Sequence, residues 1–95
     1  SIYIIIMYKF YKSNRKGKKY KVEIFKNNKK IKTIHFGGIN VKTGIPYAQF
    51  KDSTPLKLYS KYNHNDKKRK DRYYKRHGKY KSKMTAKYFS HKYLW

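Results

Sequence analysis

The stretch that decides the fold runs from Lys19 to Phe36. It reads KYKVEIFK over residues 19 to 26, then Asn27-Asn28, then KKIKTIHF over 29 to 36. Both flanks interleave β-branched or aromatic residues with polar ones at a period of two, as strands with one buried face do. Asparagine tolerates the left-handed backbone that a two-residue hairpin turn demands, so Asn27-Asn28 joins the flanks into a hairpin. That turn sets Tyr20 opposite His35, Val22 opposite Thr33 and Ile24 opposite Ile31 on one face, with Glu23 opposite Lys32 on the other. Upstream, IYIIIMYKFY (2 to 11) is also β-branched and aromatic and predicts another strand, while SNRKGKK (13 to 19) predicts an exposed loop. The chain thereby divides into residues 1–18, an apolar N-terminal strand or extension with a basic loop, and residues 19–95, a single basic α+β domain.

Downstream the signals change. Gly37-Gly38 ends the hairpin, and GINVKTGIPYAQFKDSTP (38 to 55) predicts an irregular excursion anchored by Tyr47 and Phe50. Thr54-Pro55 has the form of an N-cap followed by proline at the first helical position, which predicts a short helix over 56 to 62. Asn65 or Asp66 caps a stronger helix, KKRKDRYYKRH (67 to 77), and Gly78 stops it. Asp66, Lys70, Tyr73 and His77 recur along it at helical spacing beside Tyr74, so an aromatic stripe faces the domain and the cations face water. Thr85 caps a last helix over 86 to 95. The expected fold is a small α+β domain with an N-terminal β-hairpin or small antiparallel sheet followed by two or three short helices.

Composition limits what such a domain can do. Twenty-seven Lys and Arg face four acids, Glu23, Asp52, Asp66 and Asp71, for a formal charge of +23 on 95 residues. Self-repulsion at that density opposes folding in low salt, so a partner of opposite charge is expected. Leu, Ile, Val and Phe make up only 19 residues, a share near that of disordered chains, but twelve Tyr supply rings for a thin core with a wet rim. The absence of Cys excludes disulfides, thiolate zinc sites and cysteine nucleophiles. Ile2 to Met7 is far shorter than the roughly 20 apolar residues that cross a bilayer. No membrane span is expected. Ser1-Ile2-Tyr3 lacks the basic start of a signal peptide, and Met7 is an alternative start that would leave Ser1 to Ile6 as an upstream extension.

Catalytic parts are scarce. His35, His64, His77 and His91 show no paired ligand spacing, and the few carboxylates form no evident pair for two-metal or glycosidase chemistry. His64-Asn65-Asp66 with His77 loosely resembles a one-metal nuclease set, but a helix cap explains Asn65 and Asp66 better. No cofactor and no metal is expected. Gly37-Gly38 belongs to no phosphate-loop motif. The strongest functional signal is basic: Lys67, Lys68, Arg69, Arg72, Lys75 and Arg76, interleaved with Tyr73 and Tyr74, are candidate polyanion-binding residues, since cations release counterions from phosphate and tyrosine stacks on bases. The excess is not confined to that helix. Residues 1–50 carry 12 cations and one acid, and 51–95 carry 15 and three. Tyr88, Phe89, Tyr93 and Trp95 in the terminal segment are candidate partner-anchoring residues.

The segments KTIHFGG (32 to 38), YAQFKDSTPLKLYSKYNHNDKKRKDRYYKRHG (47 to 78) and TAKYFSHKYLW (85 to 95) together resemble the small basic proteins of unassigned function encoded by giant nucleocytoplasmic large DNA viruses. IHFG, FKD, HND with basic residues, RYY with RHG, and KYFSHKYLW stand in that family's order, over roughly residues 18–95. The Ser1 to Ile6 extension and the insert-like NVKTGIP (40 to 46) depart from it. The resemblance implies a viral origin and no known reaction, and the expected location is the virion. Three functions follow as expectations. The first is a minor capsid or shell component, part of a large assembly, clamped between acidic neighbours such as capsid proteins or anionic membrane headgroups. The second is a protein that neutralises and packages viral DNA, and a small metal-dependent nuclease ranks last.

Overall fold

The computed structural model describes residues 3–95; Ser1 and Ile2, the first residues of the predicted strand and extension, lie outside the described residues. Three antiparallel strands, β1 (Ile6–Lys12), β2 (Lys18–Lys26) and β3 (Lys29–Gly38), form one sheet in the order β1-β2-β3. Two helices follow, α1 (Lys67–His77) and α2 (Ala86–Tyr93). The architecture is the expected α+β arrangement. Asn27 and Asn28 have φ of 50° and 69°, the left-handed pair that a tight hairpin turn needs. β1 pairs with β2 along its whole length, from Ile6 opposite Lys26 to Lys12 opposite Tyr20, so β1 belongs to the same sheet as the hairpin.

The hairpin register differs from the predicted one. Tyr20 lies opposite Phe36, Val22 opposite Ile34, Glu23 opposite Thr33 and Ile24 opposite Lys32. The shift comes from a bulge: Phe25 pairs with Lys30, which leaves Ile31 as the extra residue on β3. A one-residue slip exchanges the two faces of a strand. Here it puts Ile34 and Phe36 into the core where the unbulged register would have put Thr33 and His35, and Ile31 remains on the surface.

Tyr20, Val22, Ile24, Ile34 and Phe36 make the buried face, with Tyr8 and Phe10 of β1 packed beside them. α2 covers this face. Phe89, fully buried, meets Tyr8 edge-on at 5.2 Å and lies 5.7 Å from Phe36, while Tyr93 meets Phe10 at 4.9 Å. The Thr85 hydroxyl accepts the Tyr88 N–H at 3.2 Å and caps α2 as expected, although the helix ends at Tyr93. The aromatic-rich sequence of α2 thus fills the chain's own core. α1 attaches through Tyr73, which stacks on Trp95 at 4.3 Å and 3° and whose hydroxyl lies 2.9 Å from His91 Nδ1. Asp66 accepts from the amides of Lys68 (2.9 Å) and Arg69 (3.3 Å), and Gly78, at φ 67°, closes the other end, so both predicted termini of α1 are found.

The excursion between sheet and α1 contradicts two expectations. Tyr47 is 56% exposed and anchors nothing in the core, and Phe50 is half-buried. The anchors are polar. Gln49, Asp52 and Thr54 are essentially inaccessible to solvent, joined by Lys19 from β2. The predicted helix over 56 to 62 shrinks to a single 3₁₀ turn, Ser60–Tyr62, because Lys57 takes φ 50° and breaks any helical run. Thr54 does not cap a helix. Its hydroxyl donates to Asp52 at 2.6 Å and accepts the Lys57 amide at 3.2 Å, which closes a turn instead. The loop returns to α2 through Lys51 and Ser53, whose amides bond the carbonyls of Leu94 (3.1 Å) and Tyr93 (2.8 Å) left free at the helix end.

Candidate polyanion-binding cleft

A helix whose cations recur at three- and four-residue spacing presents a subset of them on one side. In α1 that side carries Arg69, Tyr73, Arg76 and His77, and it faces the end of the sheet at Lys18, Lys19, Gly37 and Gly38. α2 closes the third wall with Ala86, Lys87 and Ser90, and Trp95 lies at the back. The cleft between them has a volume of about 630 Å³. Its lining holds five Lys or Arg side chains, one histidine and no carboxylate.

The walls approach closely because of Gly37. It has φ 81°, and a Cβ there would come within 2.9 Å of Lys19 and 3.0 Å of Leu94. Tyr47, largely exposed, lies against Gly38 and lines the cleft.

The cations differ in what they can do. The Lys19 ammonium donates to the carbonyl of Tyr47 (2.6 Å) and to Gln49 Oε1, and burial lowers its pKa to about 8, with Asp52 partly opposing the shift. It adds to the field of the site but has little freedom to meet a ligand. Lys87 donates to the His77 carbonyl at 2.8 Å, at the C-terminal end of α1 where a cation is favoured. Partial desolvation, and then the charges of Arg76, His91 and Lys87, lower the pKa of His77 from the ordinary histidine value. Arg69 and Arg76 carry fixed charges on fork-shaped groups suited to phosphate. Tyr73 behind them is un-ionised, its hydroxyl pushed up to about 12 by burial.

Of the six cations predicted on α1, the structure brings Arg69 and Arg76 into the cleft. Lys67, Lys68, Arg72 and Lys75 are exposed on the remainder of the helix surface. Lys18, Lys19 and Lys87 were not among the sequence candidates. No local pattern marks them, because they meet α1 only through the tertiary fold. The four aromatic candidates are placed inside the chain itself. Tyr88 and Phe89 are core residues, Tyr93 packs on Phe10, and Trp95 stacks on Tyr73. As placed, Phe89 has no accessible surface and Tyr88 very little.

His64, Asp66 and His77 do not converge. His64 accepts the Asp66 amide through Nδ1 at 2.9 Å, Asp66 caps α1, and His77 stands at the far end of that 11-residue helix. At 1.5 Å per residue the two ends are about 16 Å apart. Among the described residues, no group of three His, Cys, Asp or Glu side chains is placed to hold a metal ion. No helix among them is long and apolar enough to cross a membrane. No family model, curated protein or solved structure matches the chain.

Proposed function

We propose that the protein binds nucleic acid without acting on it, and that the cleft between the sheet end, α1 and α2 holds the phosphate backbone. The observation that carries this reading is a cleft of about 630 Å³ lined by five Lys or Arg and no carboxylate. Like charges gathered around one cleft repel each other, and a polyanion bound there relieves that repulsion. The diffuse positive charge elsewhere suits sequence-independent contact, as genome neutralisation or packaging requires. The test is binding of labelled DNA across a salt series. Wild type should weaken with a log–log slope of about 0.9 per neutralised phosphate. Arg69→Glu with Arg76→Glu should lower affinity roughly tenfold or more. Unchanged affinity in that double variant would remove the cleft from the account.

A second reading, a minor shell component of a virion held between acidic neighbours, is favoured by the exposed apolar run Tyr3, Ile4, Ile5, Ile6 and Met7, which offers a protein contact outside the core. The internal placement of Tyr88 and Phe89 weakens the anchor first expected for it. Loss of the protein from purified particles when Ile4 and Ile6 are changed to Ser, with DNA affinity intact, would favour this reading over the first.

A further inference from the structure

The three-stranded sheet has a second face, turned away from α2, and no helix among the described residues packs on it. From the alternation of each strand, Lys9 and Tyr11 of β1, Lys21, Glu23 and Phe25 of β2, and Lys30 of β3 point to that side. We infer that this face is a stacking platform for single-stranded nucleic acid, with Tyr11 and Phe25 receiving bases and the lysines between them receiving phosphates. The inference rests on the nucleic-acid reading of the protein but concerns a different surface and a narrower ligand class.

Two observations carry it. The rings are already paired with cations: the Lys21 ammonium lies 5.0 Å from the centre of the Tyr11 ring, and Lys9 lies 5.0 Å from that of Phe25. Each ring therefore sits beside a charge that can turn to a phosphate when a base takes its place on the ring. The second observation is charge. The one carboxylate on this face, Glu23, is bound to Lys30 at 3.2 Å, so the platform is net positive even at its centre. Arg15 and Lys18 at its end join Lys21 in holding His35 below the usual histidine range, after partial burial. A polyanion complements that surface, and another copy of this chain does not.

Spacing selects the single-stranded form. Tyr11 pairs with Lys21, four residues from Phe25 along β2, so the two residues' Cα positions are about 14 Å apart from strand geometry. The rings form two separate stacking positions rather than one sandwich. Bases must be unpaired and turned toward the sheet to reach them, which a duplex does not allow.

The experiment compares the full-length wild type with two double variants, Tyr11→Leu with Phe25→Leu and Arg69→Glu with Arg76→Glu. The leucines keep apolar bulk and remove the aromatic face. The probes are a labelled oligothymidylate of about 15 nucleotides, the corresponding duplex, and phosphatidylserine–phosphatidylcholine vesicles. The ring variant should lose roughly tenfold or more in affinity for the single strand and stay within about twofold on the duplex. Unchanged single-strand affinity, an equal loss on both DNA forms, or a loss seen only with vesicles would each overturn the platform. If the ring variant does not fold by circular dichroism, photocrosslinking of oligothymidylate to wild type decides: adducts on Tyr11 or Phe25 support the platform, and adducts confined to the cleft refute it. The arginine variant separates the two readings. Loss of duplex binding with the ring effect absent leaves the cleft alone, and the reverse pattern leaves the platform alone.

Discussion

The two halves of the interior are built from opposite materials. On the α2 side of the sheet, Tyr8, Phe10, Phe36, Phe89 and Tyr93 meet ring against ring, and the polar atoms are kept at the rim. Under the excursion between β3 and α1, the buried polar groups are an ammonium, an amide, a carboxylate and a hydroxyl. Gln49 donates to the Tyr59 carbonyl (2.7 Å) and to Asn63 (2.8 Å) and accepts from Lys19. Asp52 accepts from the Tyr20 hydroxyl, from the Tyr59 amide (3.1 Å) and from both the amide and the hydroxyl of Thr54 (3.0 and 2.6 Å). Dispersion and burial tolerate changes of shape within limits, whereas a buried polar network loses most of its value when one partner is missing. The aromatic half therefore forgives conservative substitution and the polar half does not.

The largest expected effect lies in the aromatic half. Phe89→Ala opens a cavity at a fully buried site touching both outer strands' rings, and should lower the unfolding free energy by about 3–5 kcal/mol. Phe89→Leu, which keeps most of the volume, should cost under about 1.5 kcal/mol. Denaturant melts of both variants in high sulfate, where charge repulsion is screened, measure the difference. Equal costs for Leu and Ala would mean that the ring geometry, rather than apolar volume, holds this half together.

The polar half should answer differently. Asp52→Ala leaves four buried donors without their acceptor and should cost about 3 kcal/mol or more. Asp52→Asn is the conservative change, yet whichever way its amide turns, one NH₂ group faces donors. It should restore less than about half of the loss. The same melts check this. Substantial rescue by Asn would erase the contrast between the halves.

This division also explains what the sequence made legible. The Asn27-Asn28 turn, the Asp66 and Thr85 caps and the Gly78 stop act within four residues of themselves, and each was readable from local chemistry. The bulge at Ile31 was not, because it is selected by which residues α2 must cover, a contact between distant parts of the chain. Gln49, Asp52 and Thr54 read as loop residues because polar side chains in a Gly- and Pro-containing stretch are ordinarily solvated. Their burial depends on Lys19 and Tyr20 arriving from β2. The cleft shows the same limit. Arg69 and Arg76 were visible as part of a basic helix, but only the fold places Lys18 and Lys87 opposite them. Nothing local distinguishes those two from the other lysines.

The smallest expected effect is a pH dependence whose rise originates in the polar half. Lys19 has a pKa of about 8 in the folded protein against an ordinary value of 10.5, because burial disfavours its charged form. Between those two values the unfolded chain binds more protons than the native one, so the Lys19 contribution to stability rises with pH across that window and is flat outside it. The neutral amine still has two N–H groups, enough for the Tyr47 carbonyl and Gln49 Oε1, so deprotonation removes a buried charge without leaving either acceptor unpaired. Tyrosines act in the opposite sense. Tyr20, held up by burial and by its bond to Asp52, and Tyr73, pushed up to about 12, keep their protons in the native state above pH 10, so stability falls again as pH climbs through that region. The wild-type melting temperature in high salt should therefore rise from pH 8 toward 10 and then turn down. Lys19→Met should be less stable throughout, since Gln49 and Tyr47 lose a donor, and its profile should lack the rise while keeping the fall. A rise of equal size in the variant would assign it to relief of general charge repulsion among the other lysines, and Lys19 would then be an ordinary cation in an unusual place.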